Sequence, residues 1–231
     1  MKLGKIVSWL DATLNVAAFD DVANNGLQIG RAEEAEAEVK TVAFAVDASV
    51  RAVKAAAAAG AGLLVVHHGI SWGGGIRRLT GGVGKVVRAA MGADLALYAC
   101  HLPLDAHPAL GNNAQLARLL GLKKVRPAFV YHGTTIGCIG TCDGYTVGVC
   151  SGGAGEFADE AKRLGCDVYL TGEASWGDAI AAENCGMQMV CAGHYETEVF
   201  GVRAVARAMK RALRIRTVDL TEALRPAAPE T

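Results

Sequence analysis

The chain has 231 residues, 52% hydrophobic and 20% charged, which is typical of a folded globular protein with a full hydrophobic core. Lysine plus arginine equals aspartate plus glutamate at 23 each, so no basic excess favours binding to nucleic acid. No segment approaches the ~20 apolar residues of a membrane helix, and Asp11 comes too early for a signal-peptide core. We therefore expect a cytosolic protein without membrane contact. The seven cysteines include no Cys-x-x-Cys pair, so we expect no structural disulfide.

The first part of the chain alternates predicted helices and strands. Asp47 stands where the N-cap of an alanine-rich helix belongs. Leu63-Leu64-Val65-Val66 is an apolar run typical of a strand buried on both faces of a parallel sheet. The predicted elements are helix 3–14, a Gly/Asn loop 23–30, strand 41–46, helix 48–59, strand 63–66, helix 83–91, strand 95–99 and helix 112–120.

The second part opens with two glycine-spaced strands joined by an Asp143-Gly144 turn signal. A change in composition over residues 122–132 predicts a domain boundary near residue 125, which divides the chain into 1–125 and 126–231. The C-terminal helix could pack back on the first half. The pattern predicts an α/β fold with mixed, largely parallel sheets flanked by helices, and the tail 225–231 is expected to fray. The predicted elements are strands 134–140 and 144–150, helix 155–164, strand 167–170, helix 176–184, strand 187–191, helix 195–212 and strand 215–219.

Three polar clusters stand directly after predicted strands, where ligands bind in open α/β sheets. Five of the six histidines belong to these clusters or lie beside them, and the exception, His132, is interpreted as a structural residue. The clusters are His67-His68-Gly69 after strand 63–66, His101 to Asp105 after strand 95–99, and Gly193 to Glu198 after strand 187–191.

Five of these side chains form a candidate metal site. His67 and His68 would converge if the chain turns at Gly69, and a cation that binds neutral imidazoles would remove their repulsion. His194 and Glu198 are four residues apart on a predicted helix and share one face, and Glu198 could bridge two ions. With Asp105, the set suits zinc, iron, manganese or cobalt, and it lacks the cysteines typical of closed structural zinc sites.

Several blocks of the chain resemble the NIF-three-like dinuclear metal centre family, whose members are also described as type 2 homologues of GTP cyclohydrolase I. The resemblance runs nearly end to end, and the His-Leu-Pro-Leu-Asp-Ala-His block followed by Gly-Asn-Asn is its most specific part. It is carried by residues 25–30, 65–69, 101–107, 110–113, 169–173 and 192–194 together with Glu198. The chain departs from many relatives at Ala23-Asn24-Asn25, where they have Asp-Asn-Val, and it lacks the long inserted domain of some relatives.

The resemblance implies two divalent ions per chain. One would be held by His67 and the other by His68, Asp105 and His194 would each join one ion, and Glu198 would bridge them. It also implies two interlocked α/β domains with the site at the carboxyl ends of strands, and a ring-shaped homohexamer.

Paired metals that share a carboxylate typically activate a bridging water for hydrolysis. The leading hypothesis is therefore a metal-dependent hydrolase acting on a small, nucleotide-like substrate, with GTP as the candidate that the family label suggests. His101 could act in catalysis as a proton shuttle, or it could orient Asp105 or a metal-bound histidine. The alternative is a non-enzymatic metal-binding, metal-sensing or scaffold protein.

Two further features leave alternatives open. Arg77, Arg78 and Lys85 lie among glycines and could form a lid that meets phosphate, or simply a solvated loop. Glu173 follows strand 167–170 and could face the site, or it could cap helix 176–184.

Overall fold

The computed structural model describes residues 1–227 and divides the chain into two compact units. The first comprises Met1–Leu104 with the segment from Val202 onward, and the second comprises Asp105–Gly201. The predicted boundary near residue 125 falls inside the second unit, within a strand. The prediction of a frayed tail concerns residues 225–231, of which 228–231 lie outside the described part.

The first unit is built on a five-stranded sheet of order β1-β4-β3-β2-β10. Its strands are β1 (Gly26–Ile29), β2 (Thr41–Asp47), β3 (Leu63–His68), β4 (Ala96–Ala99) and β10 (Arg216–Asp219). All neighbouring strands are parallel except β1 and β4. The central strands β2 and β3 are buried along almost their whole length, as the continuous apolar runs of a parallel sheet require.

Helices complete the first unit. The helices that lie wholly in it are α1 (Leu3–Leu14), α2 (Val50–Ala58), α3 (Gly81–Gly92) and α9 (Thr221–Leu224). Helix α1 has the predicted bounds because Leu3, Ile6, Leu10 and Leu14 form one buried stripe at helical spacing. Helices α2 and α3 contribute small side chains to a core cluster that includes Ala43, Leu64 and Leu97 of the sheet.

The second unit has a mixed sheet of order β5-β6-β7-β8-β9. The strands are β5 (Lys123–Tyr131), β6 (Thr134–Cys142), β7 (Tyr145–Gly153), β8 (Val168–Glu173) and β9 (Gln188–Cys191). The pairings β5–β6 and β6–β7 are antiparallel, whereas β7–β8 and β8–β9 are parallel. Asp143 and Gly144 both have positive φ, as the predicted Asp-Gly hairpin turn demands.

The helices wholly in the second unit are α5 (Asn112–Leu119), α6 (Ala158–Arg163) and α7 (Trp176–Cys185). Two further helices carry the chain from one unit to the other, α4 (Leu102–Ala106) and α8 (His194–Leu213). The architecture confirms the predicted α/β class with mixed sheets flanked by helices. Within residues 1–227 no helix combines the length and apolarity needed to cross a membrane, and all seven cysteines are free thiols.

Some local predictions were wrong. Asp47 is the last residue of β2 and does not cap α2, because the Ser49 hydroxyl accepts the hydrogen bond from the Ala52 N–H at 3.0 Å. The loop predicted over 23–30 contains β1, which pairs with β4 in an antiparallel register from Gly26 opposite Ala99. Asp47 therefore lies at the carboxyl end of β2 in the first sheet and not at the start of a helix.

Candidate metal centre

The adjacent histidines end strand β3. His67 is completely buried and His68 is partly exposed. Their ring centroids are 4.6 Å apart with planes inclined at 42°, so the two imidazoles lie side by side although neighbours on a strand diverge. The prediction that Gly69 allows a turn by its conformational freedom differs from the structure, in which its φ is not positive. A Cβ at Gly69 would stand 2.3 Å from Oε1 of Gln28 and 2.6 Å from Cβ of Ala99, so glycine is required there for close packing.

Each of these imidazoles is held through its Nδ1 atom. Nδ1 of His67 lies 2.9 Å from the backbone oxygen of Cys100, and Nδ1 of His68 lies 2.8 Å from Oδ1 of Asp47. A carbonyl oxygen only accepts hydrogen bonds, so Nδ1 of His67 carries the proton and Nε2 of the neutral ring has the lone pair. Such partners are typical of metal-ligating histidines, because they set the tautomer and the ring orientation.

A third imidazole joins this pair within the first unit. The ring centroid of His101 lies 5.1 Å from that of His67 and 5.8 Å from that of His68. The three side chains offer ligand atoms that lie within 4.8 Å of one another and could hold a metal ion. The structure therefore places His101 next to the histidine pair.

Asp21, which no sequence pattern marked as a site residue, holds His101. Its carboxylate is 2.9 Å from Nδ1 of His101 and accepts hydrogen bonds from the Ala23 N–H at 3.0 Å, the Asn25 Nδ2 at 2.8 Å and the Leu102 N–H at 2.9 Å. Burial opposes ionisation of Asp21, but the hydrogen bonds led by His101 outweigh it and lower the pKa to about 2. Asp21 is thus a buried carboxylate that fixes the orientation of His101.

Replacement of Asp21 by asparagine is expected to lower the free energy of unfolding by about 2 kcal/mol near neutral pH. The pKa of Asp21 in the folded protein, about 2, lies below its ordinary value of 3.8, so this stabilisation is complete above that ordinary value. It is lost as the pH falls through about 2. Chemical denaturation followed from neutral pH down through this range measures the difference. The exposed neighbour Asp20 is the matched control, and equal destabilisation by Asp20→Asn, or a difference independent of pH, would contradict the assignment.

The second unit holds the predicted oxygen ligand Asp105 in a buried network. Oδ1 of Asp105 accepts hydrogen bonds from Nδ2 of Asn112 at 2.8 Å and from the Ser151 hydroxyl at 3.1 Å. Oδ1 of Asn112 in turn accepts the backbone N–H of Gly201 at 2.7 Å, which fixes the amide. The aspartate side chain is therefore positioned by helix α5 and strand β7 before any ligand binds.

His194 and Glu198 lie one turn apart at the start of α8, as predicted from their spacing. Nε2 of His194 is 3.2 Å from Oε1 of Glu198, and Nδ1 of His194 is 2.9 Å from Oε1 of Glu173. The hydrogen bond to Glu198 and, after it, the one to Glu173 raise the pKa of His194 to about 9 against the opposing effect of burial. A metal that binds Nε2 must therefore displace a proton.

Glu173 contacts His194 and does not cap α7. Ser175 caps that helix, because its hydroxyl accepts the Asp178 N–H at 3.2 Å while the Asp178 carboxylate accepts the Ser175 N–H at 2.8 Å. The alternative in which Glu173 faces the site residues is the one that the structure supports.

A glycine backs the buried carboxylate of Glu198. Gly152 has φ +70°, and a Cβ there would stand 2.5 Å from Oε1 of Glu198 and 3.5 Å from Nε2 of His194. Strand β7 thus approaches the pair at a point where both the backbone conformation and the space require glycine.

The remaining candidates lie on the surface. Arg77, Arg78 and Lys85 are all exposed. His132 is also exposed, in the turn between β5 and β6 with φ 46°, so it is not a core residue, and no candidate group of metal ligands among residues 1–227 includes it.

The structure groups the predicted residues within each unit. The first brings together His67, His68 and His101, and the second brings together His194 and Glu198, with Asp105 in a network of its own. Sequence reasoning missed Asp21 and Asp47. Asp47 ends β2 directly opposite His68 in the parallel register, so the alignment of strand ends could have indicated it, whereas Asp21 carries no local signal.

The chain is similar in sequence and in fold to known proteins of one family. The family model for Duf34/NIF3 (NGG1p interacting factor 3) matches residues 1–145 and 143–223. A "GTP cyclohydrolase 1 type 2 homolog" from Pyrococcus horikoshii is 39% identical, with 94% of this chain and 97% of the relative covered. One of the same description from Deinococcus radiodurans is 40% identical over 87% of this chain and 86% of the relative. The structure of reduced HcgD from Methanocaldococcus jannaschii superposes with TM-score 0.83 at 26% identity, covering 95% of this chain and 98% of that one.

Proposed function

Because the chain belongs to the Duf34/NIF3 family, we propose that it is a dinuclear metal protein whose site is formed by His67, His68, Asp105, His194 and Glu198. The observation that carries this proposal is the way the imidazoles are held. Nδ1 of His67, of His68 and of His194 each has an oxygen partner at 2.8 to 2.9 Å. A histidine that serves only to fill a core does not need this arrangement, whereas a ligand that presents Nε2 to a metal does.

The donor set fits a divalent transition metal. Neutral imidazoles and carboxylates favour zinc, iron, manganese or cobalt over calcium. The carboxylates of Asp105 and Glu198 are both buried, at 7% and 3% exposure, and a cation offsets the cost of placing negative charge there. We propose two such ions per chain.

We propose hydrolysis as the reaction. Two bound divalent ions would supply an activated water and polarise the electrophilic carbon or phosphorus of a small substrate. The chain's own contribution is orientation and proton transfer. Asp21 keeps the proton on Nδ1 of His101 and leaves Nε2 to accept and return a proton, which is the role we assign to His101.

The substrate class follows the descriptions of the relatives. Proteins that are 33% to 40% identical are described as GTP cyclohydrolase 1 type 2 homologs, so GTP is the first substrate to test. Exposed Arg77 and Arg78 follow the histidine pair by about ten residues and offer guanidinium groups to a phosphate.

Removal of metal is expected to abolish hydrolysis. The purified protein, treated with a chelator and dialysed, should lose turnover of GTP by at least about a hundredfold, because the activated water is lost. Adding back single metals one at a time should restore turnover and identify the active ion. His101→Gln tests the proton-transfer role, since it should lower turnover while the metal content stays unchanged.

A protein that carries two ions per chain and is inert toward GTP and toward a broad panel of esters and amides would contradict hydrolysis. It would support the alternative of a metal-binding, metal-sensing or scaffold protein.

We also propose that the protein assembles as a ring-shaped hexamer and acts in the cytosol. Large apolar side chains of the second unit are exposed in the single chain, including Val130 and Tyr145 at 55% and 59%, and such surface supports self-association. Light scattering should give a mass six times that of one chain.

A further inference from the structure

Trp72 lies beside the histidines of the first unit but takes no part in the proposed metal site. Its indole centroid is 5.2 Å from the His101 ring at 73°, a nearly perpendicular arrangement, and 6.1 Å from the His68 ring. The residue is 40% exposed, so it does not serve as core packing. An accessible indole therefore lies next to two imidazoles whose orientation is held by hydrogen bonds to carboxylates.

The indole is held in place before any ligand arrives. Its Nε1–H donates to the backbone oxygen of Gly69 at 3.1 Å, which fixes the rotation of the ring. The backbone around it is tied to the segment 22–25: Gly73 N–H donates to the Val22 oxygen at 2.6 Å, and Asn24 N–H donates to the Ser71 oxygen at 3.1 Å. Trp72 also forms an antiparallel bridge with Ala23. A pinned aromatic ring loses little conformational freedom when it binds a partner.

Part of the indole is open to a second planar group, because Trp72 is 40% exposed even with the His68 and His101 rings beside it. In a perpendicular pair the edge of one ring meets the face of the other, so His101 covers at most one face of the indole. Indole is the largest aromatic side chain, and nucleobases stack on such rings because every base has a π-face. A base stacked there would lie against an indole that borders His68 and His101.

We propose that Trp72 is the stacking platform for a planar nitrogen heterocycle, so that the protein takes substrates carrying a purine or a similar fused ring. This inference names the substrate class of the proposed hydrolase and in that respect rests on the proposed function. It concerns binding, however, and it is tested without turnover.

The experiment measures the affinity for guanosine, with ribose as the probe that lacks the base. Isothermal titration of the full-length protein compares wild type with Trp72→Ala, Trp72→Phe and Trp176→Ala. Loss of the indole should weaken guanosine binding on the order of tenfold, and phenylalanine should retain most of the affinity. Trp176→Ala is the matched control, because that side chain is 82% exposed on α7 and should leave the affinity unchanged.

Performing each titration on chelator-treated and on metal-loaded protein separates the two proposals. Guanosine binding that depends on Trp72, together with absence of hydrolysis, would support the stacking site and count against the hydrolase. Wild-type affinity in Trp72→Ala, equal losses in Trp72→Ala and Trp176→Ala, or wild-type protein that does not distinguish guanosine from ribose would each overturn the stacking site, whatever the turnover.

Discussion

Replacement of His68 by alanine is expected to reduce the metal content of the purified protein from the proposed two ions per chain to one or fewer. His68 presents Nε2 because Asp47 holds its Nδ1 at 2.8 Å, so the substitution removes a donor that is already oriented. The second ion, if it shares ligands with the lost one, should also bind more weakly. Elemental analysis of protein purified without added metal measures the content directly.

Two further variants make this result specific. His132→Ala removes an exposed histidine at the turn between β5 and β6 and should leave the metal content unchanged. Asp47→Asn keeps all of the proposed ligands but loses the charged partner of His68, and it should weaken metal binding by about 10- to 100-fold. Wild-type protein with one ion or none would contradict the dinuclear proposal, and an unchanged content in His68→Ala would remove that residue from the site.

Replacement of Gly172 by alanine should be among the most damaging single changes in the second unit. A Cβ at this position would stand 2.6 Å from the backbone oxygen of Gly152, 2.7 Å from Oγ1 of Thr197 and 2.9 Å from Cα of His194. These neighbours are backbone or buried and cannot turn aside, so strands β7 and β8 and the start of α8 must shift. Overpacking of this kind typically costs about 1–3 kcal/mol.

The same change should weaken metal binding, since it displaces His194 at its Cα. Gly177→Ala is the matched control, because a Cβ there makes only an ordinary contact of 3.7 Å with Oγ of Ser175 inside α7. Alanine favours helix, so the control should be as stable as wild type or up to about 1 kcal/mol more stable. Denaturant unfolding and elemental analysis of both variants measure the two effects. Equal stability of Gly172→Ala and wild type would show that the close approach of β8 to α8 is not required.

The secondary structure was largely accessible from the sequence because it is encoded locally. The stripe of Leu3, Ile6, Leu10 and Leu14 predicts the bounds of α1, and the run from Leu63 to Val66 predicts a buried strand. The missed elements include β5, whose nine residues contain Pro127 and are mostly exposed, and two short elements. Strand β1 has four residues and is stabilised by its pairing with β4, and α4 contains Pro103, which a first helical turn tolerates.

The unit boundaries were less accessible, because they depend on which elements pack together. The segment from Val202 onward belongs to the first unit, because its strand β10 pairs in parallel with β2. A change of composition near residue 125 carries no information about such a pairing between segments far apart in the chain.

For the candidate site, the sequence by itself determined the candidate ligands, because residue type and spacing are local properties. The five residues are at or after the carboxyl ends of predicted strands: His67, His68, Asp105, His194 and Glu198. The tertiary structure alone decided how these side chains are held. Asp21 is 80 residues from His101, Asp47 is 21 residues from His68, and Glu173 reaches His194 from another strand. Hydrogen bonds between groups so far apart in the chain form only when folding brings their segments together, and the same is true of the indole of Trp72 beside His101.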